Sequence, residues 1–361
     1  MTKHAGSAKR TPPSIDIELD VERFRSDLLA WFDKNQRDLP WRRTRDPYAI
    51  WISEIMLQQT RVSAVIPFYE RFLQRFPTFA ALAAAPESEL LACWAGLGYY
   101  YRARNLQRAA ILMRDAGAFP NTYEPIRSLP GIGDYTAAAI SSIAFDLPHA
   151  AVDGNGLRVL SRVFDDPADI ASSAGRKHFA QKAAVLVHPA RSGAFNQAVM
   201  ELGATVCLPR KPQCLICPIS PLCQARRRGT QDERPVSGRK MTTIEENRAL
   251  FWITQSGSVL AWQRPAASRL MPGFWELPEQ AHLPDAAAGE RLGTFRHTIT
   301  FHKYRFDIHR ADIPADIGPC EWIPLDAMAS MPVSTVMRKA LRIAGRNRSP
   351  RATLRSSTAS V

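Results

Sequence analysis

The chain has 361 residues, of which 45% are hydrophobic and only 22% are charged, so it is long and apolar enough for two domains with separate cores and is not a disordered protein. Its formal net charge of +13 favours a polyanionic partner, and nucleic acid before membrane. Apolar runs stay well short of the roughly 18 residues of a membrane span and the N-terminus lacks an apolar leader, which predicts a cytoplasmic protein with no membrane partner.

The first two thirds of the chain show helical patterns. Residues 1–18 are predicted to be a flexible tail, and a first helix starts at Val21 with its apolar face formed by Phe24, Leu28, Trp31 and Phe32. A proline-containing loop then leads to a helix predicted over Ile50 to Thr60. Further helices follow to about residue 205, with breaks at proline and glycine. Residues 19–225 are therefore predicted to form an all-helical domain.

The periodicity changes in the last third of the chain. Residues 226–247 are polar and contain glycine and proline, which predicts a linker between domains. From Leu250 the pattern is that of strands, including an alternating run from Thr298 to Ile308. We expect a mixed α/β domain over residues 248–345, followed by a basic, disordered tail over residues 346–361.

A glycine-rich turn and a downstream aspartate stand out within the helical part. The run Leu129-Pro130-Gly131-Ile132-Gly133 precedes a helical stretch from Tyr135 to Ala144, so bare backbone N–H groups lie at a helix N-terminus, where they can bind a phosphate. Asp153 follows Gly133 by 20 residues. It can serve as the N-cap of the next helix, or it can present a carboxylate to a substrate, and the two roles are compatible.

Four cysteines lie close together near the end of the helical part. Cys207, Cys214, Cys217 and Cys223 have the spacing C-x6-C-x2-C-x5-C within 17 residues. In a cytoplasmic protein such a group favours metal ligation over disulfides. Four thiolates can bind zinc or an iron–sulfur cluster.

Glu54 is the only acidic residue between Pro47 and Tyr69, on a helix that is otherwise apolar. Burial of a carboxyl group favours its protonated form, which suits general acid catalysis. The alternative is a buried salt bridge to an arginine such as Arg37 or Arg42.

These motifs together carry a family resemblance. The segment Trp51-Ile52-Ser53-Glu54-Ile55-Met56-Leu57-Gln58-Gln59-Thr60, the Leu-Pro-Gly-Ile-Gly turn and the Val-Asp-Gly-Asn run at residues 152–155 resemble adenine DNA glycosylases of the MutY type, within the endonuclease III or helix-hairpin-helix superfamily. The resemblance extends from about residue 21 to about residue 345. It implies a monomer, associated with the bacterial nucleoid, that removes adenine mispaired with 8-oxoguanine or guanine in duplex DNA. It also implies that the four cysteines hold a [4Fe-4S] cluster.

The resemblance assigns chemical roles to four residues. Glu54 is expected to protonate adenine at N7, Asp153 to stabilise the sugar cation, and Asn155 to support Asp153 by hydrogen bonding. This division of labour agrees with the chemistry of glycosidic bonds, which requires an acid on the leaving group and a carboxylate beside the sugar. Tyr135 occupies the place of the lysine that forms a Schiff base in bifunctional relatives. The enzyme is therefore expected to remove the base without cutting the strand.

Further residues are assigned to DNA and base binding. Gly131 and Gly133 are expected to bind the DNA backbone, Tyr99 to intercalate beside the lesion, and Gln59 to fill the gap that base flipping leaves. Arg37, Trp41 and Gln197 match the adenine pocket of the family.

The second domain resembles the Nudix-like recognition domain of the same family. No G-x5-E-x7-R-E-x-x-E-E motif occurs in residues 248–345, so we expect a binding module rather than a pyrophosphohydrolase. Phe295 to Thr298 match the lead-in to the loop that contacts 8-oxoguanine, but the next residues are Ile299-Thr300-Phe301. Thr300 and His302 are the candidate lesion contacts. The alternative is that residues 299–302 continue a strand with Phe301 buried.

The sequence is also compatible with two other functions. One is an oxidised-pyrimidine or thymine glycosylase with lyase activity, which Tyr135 and the added second domain disfavour. The other is a non-catalytic iron–sulfur protein that binds DNA, which the presence of Glu54 and Asp153 disfavours.

Overall fold

The computed structural model describes residues 19–238, 243–268, 271–299, 301–329 and 331–346. The predicted tail at residues 1–18, Thr300, and the predicted tail beyond Arg346 lie outside the described residues. The chain divides into two compact units, one formed by Met1–Ile55 and Phe119–Arg239 and the other by Met56–Ala118 and Lys240–Val361. The predicted helical domain is thus shared between both units.

The described residues from 19 to 229 form helices and connecting loops, as predicted. The helices are α1 (Val21–Asn35), α2 (Pro47–Leu57), α3 (Val62–Arg75), α4 (Phe79–Ala84), α5 (Glu87–Trp94), α6 (Tyr101–Ala116), α7 (Tyr123–Arg127), α8 (Asp134–Phe145), α9 (Gly154–Val163), α10 (Ser173–Leu186), α11 (Ser192–Thr205) and α12 (Gln224–Arg228). Helices α3 to α6 belong to the second unit. None of the described helices is both long and apolar enough to cross a bilayer.

The core of the first unit forms between α1, α9, α10 and α11. Asp20 starts α1 by accepting a hydrogen bond from the Arg23 N–H at 3.0 Å. Three of the four residues predicted for its apolar face are buried, and Trp31 packs at the edge of the same core. This packing brings the start of α9 and one face of α11 together, which positions the candidate site.

Helix α2 differs from its predicted bounds. It starts at Pro47, three residues before the prediction, and ends at Leu57 instead of Thr60. Gln59 has a backbone φ of 59°, which a right-handed helix cannot contain, so the helix ends before it.

The predicted linker is in part anchored to the first unit. The Arg162 Nε–H donates to the carbonyls of Gln231 at 2.8 Å and Arg234 at 3.1 Å, and Arg234 forms an ion pair with Asp165 at 3.0 Å. Two backbone carbonyls and the side chain of Arg234 therefore hold this segment against the first unit. The predicted C-terminal bound of the linker, residue 247, is wrong, because the first strand already begins at Ile244.

The second unit contains the predicted α/β domain. Its elements are β1 (Ile244–Trp252), β2 (Thr254–Gln255), β3 (Ser258–Gln263), β4 (Trp275–Glu276), β5 (Arg291–Ile299), β6 (His302–Arg310), β7 (Cys320–Pro324) and α13 (Thr335–Arg346). One sheet has the order β1-β6-β5, with β1 and β6 parallel and β5 and β6 antiparallel. In the other sheet β3 pairs with β2, β4 and β7, all antiparallel.

The predicted continuous strand from Thr298 to Ile308 is wrong. Ile299 pairs with His302 at the end of the β5–β6 hairpin, so the chain changes direction between these two residues. Phe301 is 43% exposed at this reversal, which also contradicts the alternative in which Phe301 is buried. Phe301 and His302 are therefore presented at a hairpin tip.

The helical segment of the second unit packs against its α/β domain. The rings of Tyr100 and Phe274 lie 4.0 Å apart, centroid to centroid, and both residues are buried. The Arg104 guanidinium donates to the Pro272 carbonyl at 2.8 Å. Tyr100, the residue that follows Tyr99, therefore packs directly against the α/β domain.

Candidate active site

Glu54 lies on α2 and is only 6% exposed, with the buried side chains of Ile50 and Trp51 on the same helix. Burial raises the pKa of its carboxyl group to about 7. The hydrogen bond from Tyr135 and the charge of Arg42 oppose this rise, while the charge of Asp153 adds to it. At neutral pH a large fraction of Glu54 therefore carries a proton that it can donate.

Tyr135 connects Glu54 to the opposite helix. It is the second residue of α8, and its hydroxyl donates to Glu54 Oε2 at 2.9 Å, with Met200 Sδ at 3.6 Å. Burial, and then the nearby charges of Glu54 and Asp153, raise the pKa of the phenol well above its ordinary value. Tyr135 is therefore a neutral hydrogen-bonding group that orients the Glu54 carboxyl.

Asp153 serves as the N-cap of α9, which is one of the two roles that the sequence left open. As the N-cap of α9, its Oδ1 accepts from the Gly156 N–H at 2.7 Å. Its Oδ2 accepts from Asn155 Nδ2 at 2.9 Å. The side chain is half-buried, and a carboxylate has about four acceptor positions, so capacity remains for a developing positive charge.

Asn155 belongs to a hydrogen-bond chain that the sequence did not reveal. Its Oδ1 accepts from Arg158 Nη2 at 2.8 Å, and Arg158 also donates to the carbonyls of Gly203 at 2.8 Å and Cys207 at 2.9 Å. A Cβ at Gly203 would lie 2.6 Å from Asn155 Cβ, so α9 and α11 approach as closely as glycine permits. The start of α9 is thereby tied to the beginning of the cysteine loop.

Arg37 and Arg42 share a buried acid, but that acid is Glu201 rather than Glu54. Arg37 contacts Glu201 through Nε at 2.7 Å and Nη2 at 2.8 Å, and Arg42 Nη2 lies 2.8 Å from the same carboxylate. Burial by itself would raise the pKa of Glu201, but the hydrogen bonds from Arg37 and Arg42 outweigh it and lower the pKa to about 2. The salt-bridge alternative for Glu54 is therefore wrong.

Glu201 was missed, although its signal resembles that of Glu54. It is the only charged residue on α11. Gln197, Met200 and Glu201 have the i, i+3, i+4 spacing of one helix face. Gln197 is half-buried, with Nε2 3.4 Å from the Gly193 carbonyl, and Trp41 is buried in the 3₁₀ turn Pro40–Arg42. Arg37 therefore pairs with Glu201, and Gln197 lies on the same face of α11 as Glu201.

The glycine turn joins α7 and α8 as predicted. Gly131 has a φ of 79°, which glycine adopts readily, and the Ile132 N–H donates to the Leu129 carbonyl at 3.2 Å. Leu129 and Ile132 are buried, whereas Gly131 and Gly133 are exposed. The exposed N–H groups of the turn therefore lie at the N-terminus of α8, where the helix dipole favours an anion.

The four cysteines of the loop line one cavity. All four are free thiols, and Arg162 Nη1 lies 3.3 Å from Cys207 Sγ. Apolar residues form much of the remaining wall: Val159, Val163, Leu202, Val206 and Ile219. Burial raises the pKa of Cys217 to about 12. Cys320, by contrast, is a buried thiol of the second unit, and Cys93 is half-buried.

The remaining predicted residues lie in the second unit. Gln59 is exposed between α2 and α3, and Tyr99 is half-buried before α6, both with left-handed backbone conformations. His302 is half-buried at the start of β6, with Nδ1 2.7 Å from Glu246 Oε1. Thr300 lies outside the described residues, so its predicted contact stays a prediction.

The chain is similar to known DNA repair proteins. Residues 52–184 match the model of the HhH-GPD superfamily base excision DNA repair proteins. The chain is 36% identical to the adenine DNA glycosylase of Mus musculus over 405 residues, which covers 90% of this chain and 78% of the mouse protein. It is 35% identical to the adenine DNA glycosylase of Homo sapiens over 406 residues, covering 90% of this chain and 74% of the human protein. Among solved structures, a thermostable thymine-DNA glycosylase matches with a TM-score of 0.53 and 32% identity, over 58% of this chain and 97% of that one.

Proposed function

Because the chain belongs to the adenine DNA glycosylase family, we propose that it removes adenine mispaired with 8-oxoguanine or guanine from duplex DNA, by hydrolysis of the N-glycosidic bond. The main support for this proposal is the environment of Glu54. A buried carboxyl group with a pKa of about 7, hydrogen-bonded by Tyr135, is suited to protonate a base that is about to leave.

The second carboxylate acts on the sugar. As the bond to adenine lengthens, positive charge develops on the deoxyribose, and the ionised Asp153 stabilises it. Asn155 and the Gly156 N–H fix the orientation of that carboxylate without consuming all of its acceptor positions. Glu54 and Asp153 therefore divide the acid and stabilising roles between two different environments.

Glu201 contributes to the adenine pocket. Its carboxylate holds Arg37 and Arg42 in fixed positions, and Gln197 lies one helical turn away. We propose that Arg37, Trp41 and Gln197 contact adenine and that Glu201 orients Arg37. The exposed amides of Gly131 and Gly133 bind a DNA phosphate.

The cysteine cavity fits an iron–sulfur cluster better than zinc. Zinc draws four sulfurs to about 2.3 Å from one centre, whereas the four thiols here lie around a cavity that is also lined by apolar side chains. Four thiols around one cavity suit a [4Fe-4S] cluster, with one thiolate for each iron. The cluster would supply a fixed fold for this loop, in which Arg162 orients Cys207.

Tyr135 leads us to propose a monofunctional enzyme. A phenol cannot form an imine with the deoxyribose, so strand cleavage should require added alkali. A second candidate, thymine release, is favoured only by the similarity to the thymine-DNA glycosylase structure.

One substrate panel tests these proposals. Duplexes with a single adenine opposite 8-oxoguanine, guanine or thymine, and one with thymine opposite guanine, are incubated with the full chain and analysed with and without alkali. We expect release of adenine opposite 8-oxoguanine and guanine, and strand breaks only after alkali. Preferential thymine release would favour the second candidate, and strand breaks without alkali would contradict the monofunctional assignment.

A further inference from the structure

Arg102, on α6, is 2% exposed and binds four backbone carbonyls at once. Its Nη1 donates to Met56 at 3.2 Å and Gln58 at 2.7 Å. Its Nη2 donates to Leu97 and Gly98, each at 3.1 Å. The guanidinium also lies over the rings of Trp94 and Tyr99, 5.4 Å and 5.5 Å from their centroids. One buried side chain therefore connects the end of α2 and its following loop to the loop before α6.

Each of these two loops contains a strained residue. Gln59 has a φ of 59° and Tyr99 a φ of 50°, in the left-handed region that non-glycine residues rarely adopt. Arg102 binds the carbonyl immediately before each of them, on Gln58 and Gly98. Because a peptide group is planar, holding that carbonyl also fixes the N–H of the strained residue. Strain of this kind persists only where the surroundings hold it, and it is concentrated at functional sites.

The geometry requires an arginine. The two Nη atoms are attached to one carbon in a rigid plane, so they hold the two loops at a fixed separation, whereas the single ammonium of lysine cannot bridge them. Trp94 Nε1 also donates to the Gly98 carbonyl at 3.1 Å, which reinforces the second loop. The backbone is thus locked from the interior, while Gln59 is exposed and Tyr99 half-exposed.

We propose that Arg102 is a positioning residue for base extrusion. It sets the two loops in one arrangement before DNA binds, so that Gln59 and Tyr99 enter the base stack together as adenine leaves it. The loops then need no further ordering during binding. This inference rests on the proposed function and extends it by naming the residue that fixes the geometry of both loops.

The test measures extrusion separately from chemistry. In a Glu54→Gln background, 2-aminopurine replaces the target adenine opposite 8-oxoguanine, and its fluorescence rises when it leaves the stack. Arg102→Lys and Arg102→Gln are compared with Arg108→Gln, the control, because Arg108 is an exposed arginine of the same helix. We expect the rise to slow about tenfold in both Arg102 variants, because small displacements of positioning groups are costly in rate. It should be unchanged in the control.

Binding and folding complete the test. Affinity for a duplex with an abasic-site analogue at the target position should change little in the Arg102 variants, because no base remains to be extruded. Unchanged fluorescence kinetics would overturn the proposal, and so would an equal loss of extrusion and affinity. Loss of folding in both Arg102 variants, seen by thermal melting, would show that the guanidinium serves the fold and would also overturn it. Failure of the proposed function looks different, since the Glu54→Gln parent would then give no fluorescence rise.

Discussion

At the scale of single residues, two buried glutamates differ in charge because their partners differ. Glu54 has the phenol of Tyr135 as its hydrogen-bond donor, and its pKa rises to about 7. Glu201 has two guanidinium groups, and its pKa falls to about 2. In the first unit, Glu54 is therefore able to donate a proton at neutral pH, whereas Glu201 remains an anion.

The raised pKa of Glu54 predicts a cost in stability. Its folded-state pKa of about 7 exceeds the ordinary 4.5, so the stability that the protonated form provides is complete below about 4.5 and is lost as pH rises through about 7. Glu54→Gln should therefore stabilise the protein at pH 8, by on the order of 3 kcal/mol, and have little effect at pH 4. Thermal melting of both proteins across this range checks the prediction, and a uniform effect at every pH would contradict it.

Glu201→Gln should have the opposite sign. It removes the ion-pair partner of Arg37 and Arg42, and breaking a buried pair costs about 3 kcal/mol or more. The loss should be complete at neutral pH and disappear as the pH falls towards about 2, because wild-type Glu201 then becomes protonated. Chemical denaturation measures it, with Glu22→Gln as the control, since Glu22 is exposed. Equal stabilities of Glu201→Gln and wild type at pH 7 would exclude this role.

The sequence was informative about Glu54 but not about Glu201. Both are single acids on apolar helices, and the motif around Glu54 directed attention to it alone. Predicting that Arg37 and Arg42 pair with Glu201 requires knowing that the 3₁₀ turn Pro40–Arg42 lies beside α11, which is separated from it by about 160 residues. No local pattern contains that information.

At the scale of elements, the cysteine loop and α9 form one connected structure. Arg158 links Asn155 to the Cys207 carbonyl, and Arg162 contacts Cys207 Sγ. The order of the loop is therefore coupled through hydrogen bonds to the helix that presents Asp153. Loss of the loop conformation should therefore alter the position of the Asp153 carboxylate through these hydrogen bonds.

We expect the purified protein to be yellow-brown and to contain iron and acid-labile sulfide. Cys214→Ser should lose the colour and most of the metal, because one thiolate ligand is missing. Cys93→Ser should keep both, since Cys93 is remote in sequence from the loop and lies outside the cavity. Metal analysis and visible absorption decide the matter, and a colourless, active protein with stoichiometric zinc would contradict the assignment.

Strand boundaries were harder to predict than helices. The helical faces repeat apolar residues, and their positions were recovered to within a few residues. Strand β1 begins with the exposed Ile244 followed by the polar residues Glu245, Glu246 and Asn247, so its start has no alternating apolar pattern, and it is stabilised by parallel pairing with β6, more than 50 residues away. The sequence between Ile299 and His302, which pair at the end of the β5–β6 hairpin, lacks the glycine or asparagine that usually marks such a turn.

At the scale of the whole molecule, the second domain is expected to recognise the base opposite adenine. Phe301 and His302 are presented at the β5–β6 hairpin, and His302 is held by Glu246. Tyr100 packs on Phe274 within the same unit. Truncation would therefore remove the recognition surface and also uncover Tyr100.

Removing residues 240–361 should preserve adenine release but reduce the preference for 8-oxoguanine over guanine. A base-edge contact is typically worth 1 to 3 kcal/mol, or about tenfold or more in selectivity. Thr300→Ala and His302→Ala test single contacts without uncovering Tyr100, and His309→Ala is the control on the same strand. Single-turnover rates opposite both bases provide the comparison. Unchanged selectivity in the truncated chain would reject the recognition role of the domain.

The most direct test of the proposed chemistry is single-turnover release of adenine opposite 8-oxoguanine by the wild-type chain, Glu54→Gln and Asp153→Asn, with duplex affinity measured in parallel. Glutamine keeps the shape of Glu54 but cannot donate its proton, and asparagine keeps the cap but not the charge of Asp153. We predict that both variants bind the duplex with nearly wild-type affinity and release adenine at least about a thousandfold more slowly. Near wild-type release by either variant would contradict the role proposed for that residue.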